Sequence, residues 1–225
     1  MNNNGILLVD KAAGSTSFYL VSLLRRLTHI EKIGHAGTLD PFATGVMVML
    51  IGQDYTRRSN EFLNKDKEYR ATLQLGLATD TYDIEGQITS RSDKIPTPQE
   101  IALALAAFQG EISQIPPMFS AKKVEGKKLY DLARKGITIE RQPVKVQLQI
   151  KLVSYNYPML DIEVACSKGT YIRSLAHDIG QFLGCGAHLF ELARTRSGAF
   201  HIGQCVPQAL LKNPSFDLSP HLRQL

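Results

Sequence analysis

Between residues 34 and 45 the chain reads Gly34-His35-Ala36-Gly37-Thr38-Leu39-Asp40-Pro41-Phe42-Ala43-Thr44-Gly45, and no other run constrains it as much. Glycines open backbone conformations closed to other residues and let a ligand come close to the main chain. Proline fixes its own φ and drives the residue before it, Asp40, toward an extended conformation. The Asp40 carboxylate is therefore presented from a stiff, irregular loop, which suits a nucleophile or a general base held in position. An Asp-Pro turn beside a buried strand accounts for the same spacing, so the loop alone leaves a structural and a catalytic reading open.

At 225 residues the chain is long enough to bury a sizeable core, and 44% hydrophobic with 21% charged residues is ordinary for a soluble globular protein. The opening Met-Asn-Asn-Asn has neither the basic stretch nor the apolar run of a signal peptide. The longest apolar run, Val46 to Ile51, is too short to span a bilayer. Cys166, Cys185 and Cys205 are widely spaced and form no C-x-x-C pair, which argues against a disulfide framework and a zinc site. They read as small core residues of a cytoplasmic protein.

Charge is concentrated. From Ile115 to Lys151, nine basic residues face only Glu125, Asp131 and Glu140, a net of +6 on a chain whose total is +5. Such a segment fits a polyanion, while a solvated lysine-rich face is the plainer explanation of any charge run. It shows no bulky apolar face for a membrane.

The element pattern is mixed. Ile6 to Val9 and Val46 to Ile51 read as buried strands. Ser17 is placed to cap a helix carrying Leu20, Leu23, Leu24 and Leu27 on one stripe. Tyr69, Ala71, Leu73 and Leu75 alternate with polar residues as a half-buried strand does. Pro98 and Glu100 open a helix that stops near Gly110, and Leu129 to Lys135 forms a short one. Val144 to Tyr155 and Leu160 to Ala165 are strands around a turn at Pro158. Tyr171 to Leu183 is helical, and Leu189 to Thr195 leads into a last strand. The class expected is α+β, with a mixed, mainly antiparallel central sheet flanked by helices and loops. From Pro207 the composition turns to that of a tail.

Phosphate-loop, dinucleotide, zinc-protease and nucleophile-elbow motifs are all missing, and the histidines do not pair at ligand spacing. A second site-like segment stands out: Ser167-Lys168-Gly169-Thr170-Tyr171-Ile172-Arg173, with a tyrosine and an arginine at a helix start. Taken with residues 34–45 it resembles the TruB-type family of bacterial tRNA pseudouridine-55 synthases. Further elements match in order: Lys67-Glu68-Tyr69, Thr79-Asp80-Thr81 with Asp83 and Gly86, Pro116 to Lys123, Gly126 to Tyr130, Ala133 to Gly136, and Gly184 to Leu189. The similarity covers residues 5–198. Ala12 departs from the proline usual after the first lysine, a change expected to touch loop stiffness only.

The resemblance implies a catalytic domain over residues 1–206 with a mobile basic arm at about 115–142, followed by a tail over 207–225 and no C-terminal PUA-type module. It implies that a uridine is flipped out and isomerised without metal or cofactor, with Asp40 as nucleophile and Arg173 beside it, keeping it ionised. Tyr69 would stack on the base and relay the C5 proton. Tyr171 would line the pocket, Leu192 would offer backbone to the uracil edge, and His35 would hold flipped nucleotides. Lys122, Lys123, Lys127 and Lys128 would bind phosphates of the tRNA T-stem-loop. The expected enzyme is a cytoplasmic monomer that binds neither metal nor membrane. Two other classes stay open: an RNA-binding or tRNA-folding module without essential catalysis, and a uracil-releasing glycosylase. Pseudouridine formation separates the first from a synthase, and release of free uracil identifies the second.

Overall fold

The computed structural model describes residues 4–120, 123–124, 126–133 and 135–224. The chain begins β1 (Gly5–Lys11), α1 (Ser17–Thr28), β2 (Ile33–His35), β3 (Thr44–Ile51), α2 (Gln53–Arg57), α3 (Ser59–Leu63) and β4 (Lys67–Leu75). It continues β5 (Leu77–Thr79), β6 (Ile88–Arg91), α4 (Pro98–Ala107), β7 (Gly110–Gln114), β8 (Lys123–Val124), β9 (Lys127–Lys128) and α5 (Leu129–Ala133). It ends β10 (Val144–Asn156), β11 (Met159–Cys166), α6 (Ile172–Leu183), β12 (Ala187–Ser197), β13 (Phe200–His201) and β14 (Val206–Pro207). Contacts group the chain into two units, one joining Met1–Arg70 to Leu192–Leu225 and the other formed by Ala71–Glu191.

In the first unit β3 is the centre. It runs antiparallel to β1, from Gly5↔Ile51 to Lys11↔Gly45, and to β2, from Ile33↔Ile51 to His35↔Met49. β12 joins it in parallel through Ala193↔Thr44 and Arg194↔Gly45, and β14 lies parallel to β1. A strand enclosed on both faces needs no polar residue, which is why Val46 to Ile51 is continuously apolar and wholly buried. Ile6, Leu8, Ala36, Val46, Val48 and Leu50 form one cluster, with Tyr55, Phe62, Leu63 and Phe200 packed on it. Residues 207–224 dock on this unit: Leu211 and Leu218 are buried, and Arg223 exchanges two 2.9 Å backbone bonds with Ile6.

In the second unit β10 pairs antiparallel with β11 and β7. Leu160, Ile162, Val164 and Cys166 alternate inward along β11. Thr97 caps α4 in a capping box with Glu100, and Gly184, at φ 69°, closes α6 in the left-handed conformation. The α+β class with mainly antiparallel pairing is as expected. Three local readings are corrected. Thr16, not Ser17, caps α1, accepting from the Tyr19 amide, because the Ser17 hydroxyl is engaged elsewhere. Leu189 to Thr195 does not lead into a strand but lies inside one, since β12 runs unbroken from Ala187 to Ser197, with β13 and β14 after it. α5 ends at Ala133, before Lys135.

Candidate active site

Asp40 sits half-buried in the loop joining β2 to β3, and that loop is bound at nearly every carbonyl. The Lys11 ammonium, fully buried at the end of β1, donates to Pro41 O at 3.0 Å and Ala43 O at 2.6 Å. Ser17 Oγ donates to Leu39 O and accepts from the Leu39 amide, both at 3.1 Å. The Gly14 amide donates to Pro41 O, and the Ala43 amide to Asp40 O. Arg194, on β12, donates from Nε to Val46 O at 2.8 Å and from Nη2 to Gly37 O at 3.1 Å. Gly45, at φ 102°, lets β3 pass β12: a Cβ there would stand 2.2 Å from Arg194 O. No other residue type fits that position.

His35, at the end of β2, is half-buried, and its Nδ1 is sealed from solvent with no hydrogen-bond partner. Burial, and secondarily the Arg194 charge, push its imidazole below the ordinary histidine range. The ring is therefore neutral, which suits stacking or wedging. Tyr69 is buried near the start of β4. Leu192 is also buried, and its carbonyl accepts from Thr44 Oγ1 at 3.4 Å.

In the second unit Arg173 occupies the first turn of α6 and is 5% exposed, too deep for a surface ion pair. Its Nη1 donates to Asp83 Oδ2 at 3.1 Å and Thr81 O at 3.2 Å, and its Nη2 to Phe119 O at 2.7 Å. Asp83 is as deeply buried and also accepts from Thr81 Oγ1 at 2.6 Å and the Glu85 amide at 3.1 Å. The resemblance includes Asp83 in a matching motif and implies no role for it. Its signal was the Thr81-x-Asp83 spacing, a local side-chain turn that aims a carboxylate inward. Tyr171 is half-buried, and Gln114 clamps its backbone by accepting from its amide at 2.8 Å and donating to its carbonyl at 3.0 Å. Next to Asp83, Tyr82 has a left-handed backbone (φ 66°) and stacks on His177 at 3.9 Å.

In the basic segment Arg141 Nη1 donates to Pro116 O at 3.2 Å. Lys123, Lys127 and Lys128 lie in the β8–β9 hairpin, paired Lys123↔Lys128 and Val124↔Lys127. Lys122 lies outside the described residues. Among the described residues, no three His, Cys, Asp or Glu side chains are placed to share a metal ion. Asp40, His35, Tyr69 and Leu192 thus belong to the first unit, and Arg173, Tyr171, Lys123, Lys127 and Lys128 to the second.

Residues 25–172, well over half the chain, match the family model described as TruB family pseudouridylate synthase (N terminal domain). The chain belongs to the TruB family. Residues 173–216 match the tRNA pseudouridylate synthase B C-terminal domain. The tRNA pseudouridine synthase B of Chlamydia abortus is 60% identical over 219 residues, covering 97% of this chain and 93% of the relative. That of Clostridium tetani is 47% identical over 201 residues, covering 88% and 69%. Among solved structures, a chain of a Cbf5–Nop10–Gar1 complex aligns with TM-score 0.72 at 30% identity over 92% of this chain. A chain of an H/ACA ribonucleoprotein bound to a substrate RNA containing 2′-deoxyuridine aligns with TM-score 0.69 at 27% identity. This chain spans just over half the length of each, at 54% and 56%. Pseudouridine synthases are isomerases, so this TruB chain is an enzyme of that class.

Proposed function

We propose that this TruB-family enzyme isomerises uridine 55 in the T-loop of tRNA to pseudouridine, with Asp40 as the nucleophile on a flipped-out uridine. The reaction breaks the N1–C1′ bond, turns the uracil and joins C5 to C1′; the C5 proton leaves and N1 ends protonated, so atoms and electrons balance without cofactor or metal. The observation that carries the reading is the Asp40 loop, whose carbonyls are held by Lys11, Ser17 and Arg194 in a chain 60% identical to a tRNA pseudouridine synthase B. A carboxylate fixed in this way reacts without first losing conformational freedom.

Arg173 is assigned to the ionised form of Asp40, and Tyr69 to stacking on the base and relaying the C5 proton. Tyr171 lines the pocket, the backbone at Leu192 meets the uracil edge, and neutral His35 holds flipped nucleotides. The arm at about 115–142, with Lys122, Lys123, Lys127 and Lys128, contacts T-stem-loop phosphates as part of a catalytic domain over residues 1–206. The enzyme acts as a cytoplasmic monomer. Incubating purified protein with unmodified tRNA and mapping pseudouridine tests the reading. Modification at position 55, lost in Asp40→Asn, is expected; free uracil would indicate a glycosylase, and binding without modification an RNA-binding module.

A further inference from the structure

Arg194 is 1% exposed, yet among the described residues every acceptor of its guanidinium is uncharged. Nε donates to Val46 O at 2.8 Å, Nη2 to Gly37 O at 3.1 Å, and Nη1 to Thr38 O at 3.4 Å, while Met47 Sδ lies 3.1 Å from Nη2. Burying a charged fork is costly, and apolar residues of similar volume often serve stability as well or better. Packing therefore does not explain an arginine here. What the fork does is geometric. Gly37 and Thr38 precede Asp40, Val46 and Met47 follow it, and one rigid planar group ties both sides of the loop together. β12 can bring it there because Arg194 pairs with Gly45, the position where a Cβ would collide with Arg194 O. The same charge faces His35 and, with burial, disfavours its protonation.

We propose that Arg194 is a positioning residue for the isomerisation: its guanidinium bridges the two flanks of the Asp40 loop and fixes where the carboxylate is presented. The inference rests on the reading of the chain as a tRNA pseudouridine synthase. Lysine keeps the charge but cannot span Gly37 O and Val46 O together, and methionine keeps bulk without charge. The test compares wild type, Arg194→Lys and Arg194→Met by thermal melting, by kcat and KM on unmodified tRNA, and by NMR titration of the His35 ring.

Both variants are expected to melt cooperatively and to keep KM within about threefold of wild type, as for a residue that does not bind substrate. Displacing a reacting group by an ångström costs up to about 100-fold, so kcat should fall at least about tenfold in both. The His35 ring should titrate at higher pH in Arg194→Met and near its wild-type value in Arg194→Lys, which reports the charge, whereas a loss of kcat in both folded variants at nearly constant KM is what a merely structural role would not produce. A folded variant with kcat within twofold of wild type overturns the proposal. So does failure of both variants to fold, which would leave Arg194 purely structural. Wild-type protein that makes no pseudouridine would overturn the underlying reading instead.

Discussion

Exchanging the Asp40 carboxylate for an amide alters the chemistry of the residue and leaves its loop in place, because the loop is held through neighbouring carbonyls by Lys11, Ser17 and Arg194. Asp40→Asn is expected to lose turnover to below detection while its Kd for tRNA, measured by filter binding, stays within about threefold, since an amide is a poor nucleophile of almost the same shape. Arg173→Ala should be costly for a second reason. It leaves Asp83 buried without its guanidinium, and breaking a buried pair from one side costs about 3–5 kcal/mol. Denaturant melts would read that loss, and an unchanged midpoint would count against the pair. Asp178, on the same helix, offers a pH test: burial raises its carboxyl from 3.8 to about 6. Its folded-state pKa is the higher one, so its destabilising effect is absent below 3.8, grows as pH rises, and is complete above 6. Asp178→Asn should therefore raise Tm at pH 8 and leave it unchanged near pH 4. Asp40 was legible because glycine and proline punctuate the sequence around it. The Thr81-x-Asp83 spacing marks a carboxylate turned inward, but its pairing with Arg173 joins residues far apart in the chain, and Arg194 looks like any strand arginine in Ala193-Arg194-Thr195-Arg196, so neither partnership is legible locally.

Elements with strong local chemistry were the ones the sequence revealed. β4 shows its alternation at Tyr69, Ala71, Leu73 and Leu75, all buried, and α4 is announced by Thr97, Pro98 and Glu100. β2, β5 and β6 are three or four residues long and exist through pairing partners rather than propensity, so no window of sequence could mark them. The cap of α1 fell one residue off because Ser17, a good cap by type, spends its hydroxyl on Leu39 across the fold while Thr16 takes the Tyr19 amide. Two substitutions probe this scale. Thr97→Ala removes the hydroxyl that accepts from Glu100 and should cost about 1 kcal/mol. Gly45→Ala should cost far more, because its Cβ meets backbone rather than a movable side chain, and strands β3 and β12 would have to part. Chemical denaturation of both variants ranks them, and equal midpoints would contradict the close approach at Gly45.

At the scale of the whole molecule, the net charge of +5 is outweighed by one segment of +6, so the remainder is close to neutral and the RNA-directed field is local. In the fold Arg141 meets Pro116 at the base of the stretch that carries the β8–β9 hairpin with Lys123, Lys127 and Lys128, while Lys145 and Lys151 stand on β10 beside Glu111 and Glu163. If the hairpin lysines and Lys122 meet phosphates, their removal should change how binding responds to salt as well as how strong it is. Each phosphate neutralised contributes about −0.7 to −0.9 to the slope of log K against log salt, so changing all four to glutamine should flatten the slope by up to about 3 to 4. Turnover at saturating tRNA should stay within about threefold, because groups that only gather the substrate drop out once it is bound. The expected pattern is thus weaker binding at low salt, convergence with wild type at high salt, and a nearly constant kcat. A quadruple variant whose salt slope matches wild type would return the basic run to an ordinary solvated face. One whose kcat collapses at saturation would instead bring these lysines into the chemical step.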